Sequence, residues 1–272
     1  MADLLIDAGN TRIKWALSDR QGGFVEWGAL PTCEAKSLLD VLPVCRLAVD
    51  CAIYVSVVDE PVNQAIEEVL STRVGQRWAR FVSTEQAAGM RNDYAVPAQL
   101  GPDRLAAALG AWQRVAGDCL VVSCGTATTI DRVERLPGPC PVPVNDESGL
   151  QKKSGNATFA PLARFAGGVI LPGLALMKSA LCQNTARLPD AAGRFVAVPD
   201  NTDDAIETGC LLAQVGAIGA MWRGFSFPVP VVLAGGAGGQ LLAHLASQKM
   251  PVIDAPELVL EGLAVAILRR FP

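Results

Sequence analysis

The chain has 272 residues, of which 50% are hydrophobic and 18% are charged, and its formal net charge is −4. This length suffices for one large domain or two smaller ones with separate cores. The weakly negative charge excludes a nucleic-acid-binding protein that relies on a basic surface.

The first predicted element is a strand–turn–strand unit near the start of the chain. The apolar run 4–6 ends in Asp7-Ala8-Gly9-Asn10-Thr11, and an alternating segment follows at 12–17. A second copy begins at the apolar run 120–122, which leads through Gly125 and Thr126 to another alternating segment. The two copies predict two similar halves, residues 1–117 and 118–272, that face each other across a ligand.

The remaining elements alternate between helices and strands. The first half continues with strands at 24–27, 52–58 and 80–82 and helices at 33–42, 63–74 and 105–115; the second half has strands at 165–172, 229–234 and 252–253 and helices at 174–183, 203–222, 239–248 and 257–270. The proline-containing stretch 136–160 is typical of an exposed insertion. This order predicts an α/β protein with duplicated ribonuclease-H-like domains. That architecture is similar to the acetate kinase, sugar kinase, Hsp70 and actin superfamily, in which the nucleotide lies between the halves.

The two turns have the chemistry of a phosphate site. A glycine-containing turn after a buried strand exposes backbone N–H groups, and glycine allows close approach and positive φ. Asn10, Thr11 and Thr126 add side-chain donors. Asp7 is suited to hold Mg²⁺ through water, and Lys14 to place a positive charge near phosphates. The alternative is a pair of ordinary hairpins in which Lys14 is a solvated strand residue.

Two further segments complete a predicted cleft. The strand 231–234 runs into Gly235-Gly236 and then a helix, which suits an adenosine-binding loop. Asp103 lies in the first turn of an alanine-rich helix. It is a candidate general base for an attacking alcohol; the alternative is an acid that only stabilises the helix start. Arg104 would then hold an anionic or amide-bearing substrate, or remain solvated. Tyr94 is a candidate for the pocket wall.

These segments together resemble the motifs of type III pantothenate kinases, the family that includes the Bvg accessory factor proteins. The resemblance runs from residue 3 to about residue 266, and the motifs are specific as a set. In chain order they are Asp7-x-Gly9-Asn10-Thr11-x-x-Lys14, Gly101-x-Asp103-Arg104, Gly125-Thr126-Ala127-Thr128-x-x-Asp131, Gly167-Gly168-x-Ile170-x-Pro172-Gly173 and Gly235-Gly236.

The resemblance implies ATP-dependent phosphorylation of pantothenate to 4′-phosphopantothenate, the first step of coenzyme A synthesis. It also implies a divalent cation such as Mg²⁺ and a homodimer with pantothenate near the dimer interface. The residues that match the family's ATP contacts are Asp7, Ala8, Gly9, Asn10, Thr11, Arg12, Ile13, Lys14 and Thr126, and those that match its pantothenate contacts are Tyr94, Gly101, Pro102, Asp103, Arg104 and Thr185, with Asp103 as the proton acceptor.

Ser123 departs from the family pattern. The family usually has an aspartate there that binds K⁺ or a similar monovalent cation, such as NH₄⁺. Because a neutral hydroxyl holds K⁺ less well than a carboxylate, we expect weak or absent K⁺ dependence. The stretch 136–160 is a second departure, since the family is usually shorter there.

Two alternatives to this function remain. The first is a kinase for another small alcohol, and the second is an ATP-binding accessory protein that has lost the chemistry. Asp131 is either a structural strand-end acid or a group behind the substrate contacts, and Gly167, Gly168, Pro172 and Gly173 either shape the pocket or form a tight turn.

The remaining features indicate a cytoplasmic protein that binds neither nucleic acid nor membrane. Asp3 and Asp7 are unlike the start of a secretion signal, and the uncharged stretch 208–222 is short for a membrane span. The eight cysteines have no metal-ligand spacing, which indicates reduced thiols.

Overall fold

The computed structural model describes residues 2–20, 23–42, 49–137, 162–185, 188–189 and 192–271. The strands within these ranges are β1 (Ala2–Ala8), β2 (Arg12–Ser18), β3 (Phe24–Pro31), β4 (Val49–Ser56), β5 (Trp78–Arg80), β6 (Gln86–Ala87), β7 (Met90–Asn92), β8 (Cys119–Cys124), β9 (Ala127–Arg135), β10 (Ala163–Pro172), β11 (Val231–Ala234) and β12 (Val252–Asp254). The helices are α1 (Leu38–Val41), α2 (Glu60–Val74), α3 (Pro102–Val115), α4 (Leu174–Asn184), α5 (Thr202–Trp222), α6 (Gly238–Ser247) and α7 (Leu258–Arg270).

The strands form two sheets that share one pattern. The first has the order β3-β2-β1-β4-β5, and the second has the order β12-β11-β8-β9-β10-β7-β6. In the first, the antiparallel meander β1–β3 is extended by the parallel strands β4 and β5. In the second, the antiparallel meander β8–β10 is extended by β11 and β12 in the same way. This repetition confirms the predicted duplicated ribonuclease-H-like fold.

Three apolar clusters hold the sheets and helices in layers. β1 is buried on both faces, as expected for an apolar run with helices on each side. Its Leu4 and Ile6 pack with side chains of α1 and α2, whereas Leu5 joins a core between the two sheets. The other face of the second sheet packs against α4, α5 and α6. Helices therefore cover the outside of each sheet, and α3 and α7 fill the space between the sheets.

α3 and α7 cross in direct backbone contact. A Cβ atom on Gly262 would lie 1.8 Å from the carbonyl oxygen of Ala106, and one on Gly110 would lie 2.4 Å from that of Leu258. Neither position has room for a side chain. The crossing fixes the first turns of both helices, and those turns border the cleft between the sheets.

The structure differs from the sequence prediction in three places. Residues 33–42 were predicted as one helix but form a 3₁₀ segment, Thr32–Ser37, followed by the short α1. The strand predicted at 80–82 lies at Trp78–Arg80. The hairpin β6–β7 was missed because its strands have only two and three residues, too few to show alternation.

The division at 117/118 stays a prediction. The β6–β7 hairpin precedes this boundary in sequence, but β7 pairs in parallel with β10 of the second sheet. The predicted insertion at 136–160 lies almost wholly outside the described residues, so its exposure also stays a prediction.

α5 begins at Thr202, before the uncharged stretch 208–222, and has 21 residues. Among the described helices it alone is long and apolar enough to cross a membrane by length and composition. Half of its most apolar window is buried inside the protein. A buried core helix passes the same test, and α5 packs in the outer core of the second sheet.

Candidate active site

The two hairpin turns face each other across the cleft. The hydroxyl oxygens of Thr11 and Thr126 are 3.0 Å apart, within hydrogen-bonding distance. The Gly173 N–H donates to the Thr126 carbonyl at 2.9 Å, which ties the second turn to the start of α4. The carboxyl ends of β1 and β8 therefore meet at one place, as the repeated sequence predicted.

The backbone N–H groups of both turn glycines donate hydrogen bonds within their own turns. The Gly9 N–H donates to the Arg12 carbonyl at 3.1 Å, and the Gly125 N–H donates to the Ala127 carbonyl at 3.0 Å. The expectation of positive φ was wrong for these two residues, since neither adopts it. Gly235 in the third loop does, with φ of +87°, and a Cβ atom there would lie 2.3 Å from the Cys124 carbonyl oxygen.

Asp7 lies at the end of β1 among other charged groups. Its register partner on β2 is Lys14. Burial raises the pKa of Asp7 to about 7; the negative charge of Asp103 adds to this rise, Lys14 opposes it, and Glu257 contributes further. These interactions show that Asp7, Asp103 and Glu257 occupy one electrostatic environment although they come from three elements.

A small cavity of about 60 Å³ adjoins Asp7. Its lining includes Lys14, Ser123, Gly235 and Glu257. Carboxylate and hydroxyl oxygens are hard donors of the kind that Mg²⁺ takes, usually with several waters retained. Two carboxylates, Asp7 and Glu257, line this cavity with Lys14, so the residues present fit a divalent ion.

Asp103 lies in the first turn of α3, after Gly101 at the N-cap position. Burial raises its pKa, although the backbone N–H of Arg104 donates to it and opposes that rise. A carboxylate with a raised pKa, whose charge interacts with that of Asp7, suits a group that accepts a proton.

Arg104 is buried and held on two sides. Its Nε donates to both carboxylate oxygens of Asp131 at 3.2 Å, and its Nη2 donates to Oδ1 at 2.5 Å. Its Nη1 donates to the Tyr94 hydroxyl at 2.9 Å, and the rings of Tyr94 and Phe165 stack edge to face beside it. Since a guanidinium has five N–H groups, one on each terminal nitrogen of Arg104 has no hydrogen-bond partner among the described residues. Asp131 therefore orients Arg104.

The glycine-rich segment of β10 packs against the strand and turn that carry site residues. A Cβ atom on Gly168 would lie 2.0 Å from Oδ1 of Asp131, and one on Gly173 would lie 2.2 Å from the Gly125 carbonyl oxygen. Gly167 has φ of +123° and follows a register shift against β9. These glycines allow β10 to approach the Arg104–Asp131 pair and the second turn.

The remaining residues that were predicted to bind ATP or pantothenate do not all lie beside the hairpin turns. Ala8 and Ile13 are fully buried in the core beside β1, so only their backbone can reach a ligand. Asn10 and Arg12 are exposed next to Thr11. Thr185 lies elsewhere: it follows the last residue of α4 and lines an apolar groove of about 990 Å³ between α4 and α5.

Two residues of this region were missed from sequence. Glu257 accepts a hydrogen bond from Lys14 at 3.0 Å, and Gln214 on α5 donates to the Pro172 carbonyl at 2.7 Å, next to Gly173. A glutamate at a helix start and a glutamine inside an apolar helix carry no local signal for a cleft. The uncharged surroundings of Gln214 were the one hint that it needs a buried partner.

A cluster with metal-ligand spacing, Asp3, Asp50 and Cys51, lies at the opposite end of β1 from Asp7. The Arg20 guanidinium already provides the positive charge there, with Nε 2.7 Å from Asp3 and Nη2 3.0 Å from Asp50. Burial, together with the bond to Asp3, raises the pKa of Cys51 to about 11. The cluster is therefore a structural network with an unreactive thiol.

Comparisons with known proteins show the family of this chain. The family model for type III pantothenate kinase matches residues 3–136 and 158–224. The chain is 36% identical to the type III pantothenate kinase of Janthinobacterium sp., over 99% of this chain and 98% of that protein. It is 38% identical to that of Aromatoleum aromaticum, over 96% of each. The fold is also that of a 2-dehydro-3-deoxygalactonokinase protein from Sinorhizobium meliloti, with a TM-score of 0.60, 16% identity and 99% coverage of both chains. The chain belongs to the type III pantothenate kinase family.

Proposed function

We propose how this protein performs the reaction of its family, the ATP-dependent phosphorylation of pantothenate in coenzyme A biosynthesis. The observation that carries the proposal is that the two hairpin turns meet through the hydroxyl groups of Thr11 and Thr126. Asp7 and Asp103, from different elements, also lie near enough for the negative charge of Asp103 to raise the pKa of Asp7. Donors for phosphate, a carboxylate for a metal and a carboxylate for a proton therefore adjoin one another.

Residues 7–14 and Thr126 would bind ATP. The N–H groups and hydroxyls of the turns would contact phosphate oxygens, and Gly235 would let the third loop lie against the adenosine. Asp7 would hold Mg²⁺ through water. Bound Mg²⁺ neutralises charge that develops on the transferred phosphoryl group.

Asp103 would accept the proton of the pantothenate alcohol as its oxygen attacks the terminal phosphate. The two free N–H groups of Arg104 would hold polar groups of pantothenate, with Tyr94, Gly101 and Pro102 forming the neighbouring wall. Because Asp131 and Tyr94 fix the guanidinium, the alcohol would be delivered in one orientation.

The experiment that tests this proposal is a coupled assay of ADP release with a panel of acceptors. We expect turnover with pantothenate and little or none with glucose or other sugars. Turnover with a sugar and none with pantothenate would contradict the assignment.

A homodimer with pantothenate near its interface is also proposed. The groove between α4 and α5 is largely apolar, and nearby Ile170, Leu176 and Leu212 are 63%, 43% and 55% exposed. Gly173 is hydrogen-bonded to the turn that carries Thr126, and Thr185 is 12 residues beyond Gly173. The rise of α4 therefore places Thr185 about 18 Å from that turn. Thr185 would therefore contact pantothenate in the partner's site rather than in its own.

Weak dependence on K⁺ is proposed from Ser123, which lines the same cavity as Asp7. Turnover should change little when K⁺ is replaced by Na⁺, because an uncharged hydroxyl selects K⁺ poorly. The variant Ser123→Asp should gain stimulation by K⁺. A collapse of wild-type turnover in K⁺-free buffer, restored by K⁺, would overturn this proposal.

The site of action that we propose is the cytoplasm. The support is the metabolic reaction of the family together with an unreactive Cys51 and five further free cysteines among the described residues.

A further inference from the structure

An ion pair joins the first hairpin to the start of α7 at the phosphate end of the cleft. The Lys14 ammonium lies 3.0 Å from Oε2 of Glu257 and donates to the Pro256 carbonyl, also at 3.0 Å. The two side chains are 27% and 30% exposed, so solvent screens the pair only in part. The pair thus connects β2 of the first sheet with α7.

Among the residues that the structure describes, the Glu257 carboxylate has no hydrogen-bond partner other than Lys14. Glu257 is the N-cap residue of α7, yet its side chain makes no capping hydrogen bond. A carboxylate at this position usually contributes through its interaction with the helix N-terminus. Here it is directed at Lys14 instead.

Lys14 has a second carboxylate within reach. It is the register partner of Asp7 in the β1–β2 ladder, so both side chains lie on the same face of the sheet. The Lys14 ammonium already contacts the Glu257 carboxylate and the Pro256 carbonyl, both at 3.0 Å. Phosphates that bind beside Lys14 would therefore compete with these two contacts for the ammonium.

We propose that Glu257 is a positioning residue that acts through Lys14. It holds the ammonium at the start of α7 while the site is empty of nucleotide, and the ammonium turns from Glu257 to the phosphates when they enter. The inference rests on the proposed placement of those phosphates between the hairpin turns.

The test is calorimetric titration of ADP and ATP in buffer with EDTA, which reads binding without turnover and without Mg²⁺. Glu257→Gln should bind both nucleotides about two- to fivefold more tightly than wild type, since the variant removes a competitor worth as much as a partly exposed ion pair. The matched control is Glu261→Gln, one turn further along α7. Glu261 pairs with Arg114 and lines a different groove, so its loss should leave nucleotide affinity unchanged.

The variant Lys14→Met distinguishes an effect of Glu257 through Lys14 from direct repulsion between the Glu257 carboxylate and the phosphates. In the Lys14→Met background, Glu257→Gln should no longer tighten binding, because there is no ammonium left to release. If the gain persists there, Glu257 acts directly on the phosphates and the inference is wrong. A loss of affinity in Glu257→Gln alone would overturn it as well.

The single variant Lys14→Met separates this inference from the proposed placement of the phosphates. Weaker nucleotide binding in Lys14→Met, with no gain in Glu257→Gln, rejects only the role of Glu257. Unchanged binding in Lys14→Met rejects the placement of the phosphates, and the role of Glu257 with it.

Discussion

At the scale of single residues, Asp103 and Asp7 show that two carboxylates at one cleft have different environments. Both are partly buried and both have raised pKa values, but only Asp103 lies at a helix N-terminus with a backbone N–H directed at it. These surroundings support the two proposed roles, in which Asp103 would accept a proton and Asp7 would hold a cation.

We predict that Asp103→Asn lowers kcat by about 10²–10⁴-fold, the usual contribution of a positioned general base. The amide keeps the size of the side chain but cannot accept the proton. Nucleotide affinity and the melting temperature should stay close to those of wild type, measured by calorimetry and thermal unfolding. Near-normal kcat would remove Asp103 from this role.

The pH dependence of the free energy of unfolding should reveal how much the buried carboxylate of Asp7 destabilises the folded state. Because its pKa is raised from 3.8 to about 7 in the folded state, the native protein retains a proton that the unfolded chain has released between those values. The contribution of Asp7 to the free energy of unfolding therefore falls as the pH rises from about 4 to about 7.

Asp7→Asn removes this cost, so at pH 8 with EDTA it should melt higher by about 2–4 °C for each 1 kcal/mol relieved. The difference should narrow as pH falls toward 4, because Asp7 in the folded protein is then protonated and uncharged. A variant that melts lower than wild type at pH 8 would contradict the sign of this argument.

At the scale of elements, the crossing of α3 and α7 determines where the cleft residues stand. Hydrophobic periodicity identified both helices, but it gave no indication that they touch at Gly110 and Gly262. That contact depends on backbone atoms far apart in sequence. The β6–β7 hairpin is similar, since its short strands are stabilised by pairing with β10 rather than by their own pattern.

Gly262→Ala should destabilise the protein by about 1–3 kcal/mol or more, because its methyl group would overlap the Ala106 carbonyl and force the helices apart. The matched control is Gly216→Ala on α5, where a Cβ atom meets nothing within 4 Å. The control should be neutral or slightly stabilising. Thermal unfolding of both variants measures the difference, and equal melting temperatures would show that the crossing relaxes freely.

At the scale of the whole molecule, the position of Thr185 supports the proposed homodimer. The turn that carries Thr126 borders the cleft, whereas Thr185 lines the groove beside α5. In the proposed dimer, a pantothenate site that includes both Arg104 and Thr185 would be completed across the interface.

Mixing two impaired variants tests this arrangement. Thr185→Ala should raise KM for pantothenate, and Asp103→Asn should abolish turnover. After the two are unfolded and refolded together, mixed dimers should contain one site with both Asp103 and Thr185 intact. Part of the low-KM turnover should then return, by steady-state kinetics. If Thr185 serves its own site, mixing restores nothing.

The sequence by itself determined the family, the duplicated fold and the residue types of the cleft, because glycine turns, strand-end acids and helix starts are local features. Only the tertiary structure decided which of these residues bind one another. Thr11 meets Thr126 across 115 positions, Arg104 meets Asp131 across 27, and Lys14 meets Glu257 across 243. Such pairs arise from the packing of two sheets around α3 and α7. Periodicity, which reports one element at a time, does not contain that packing.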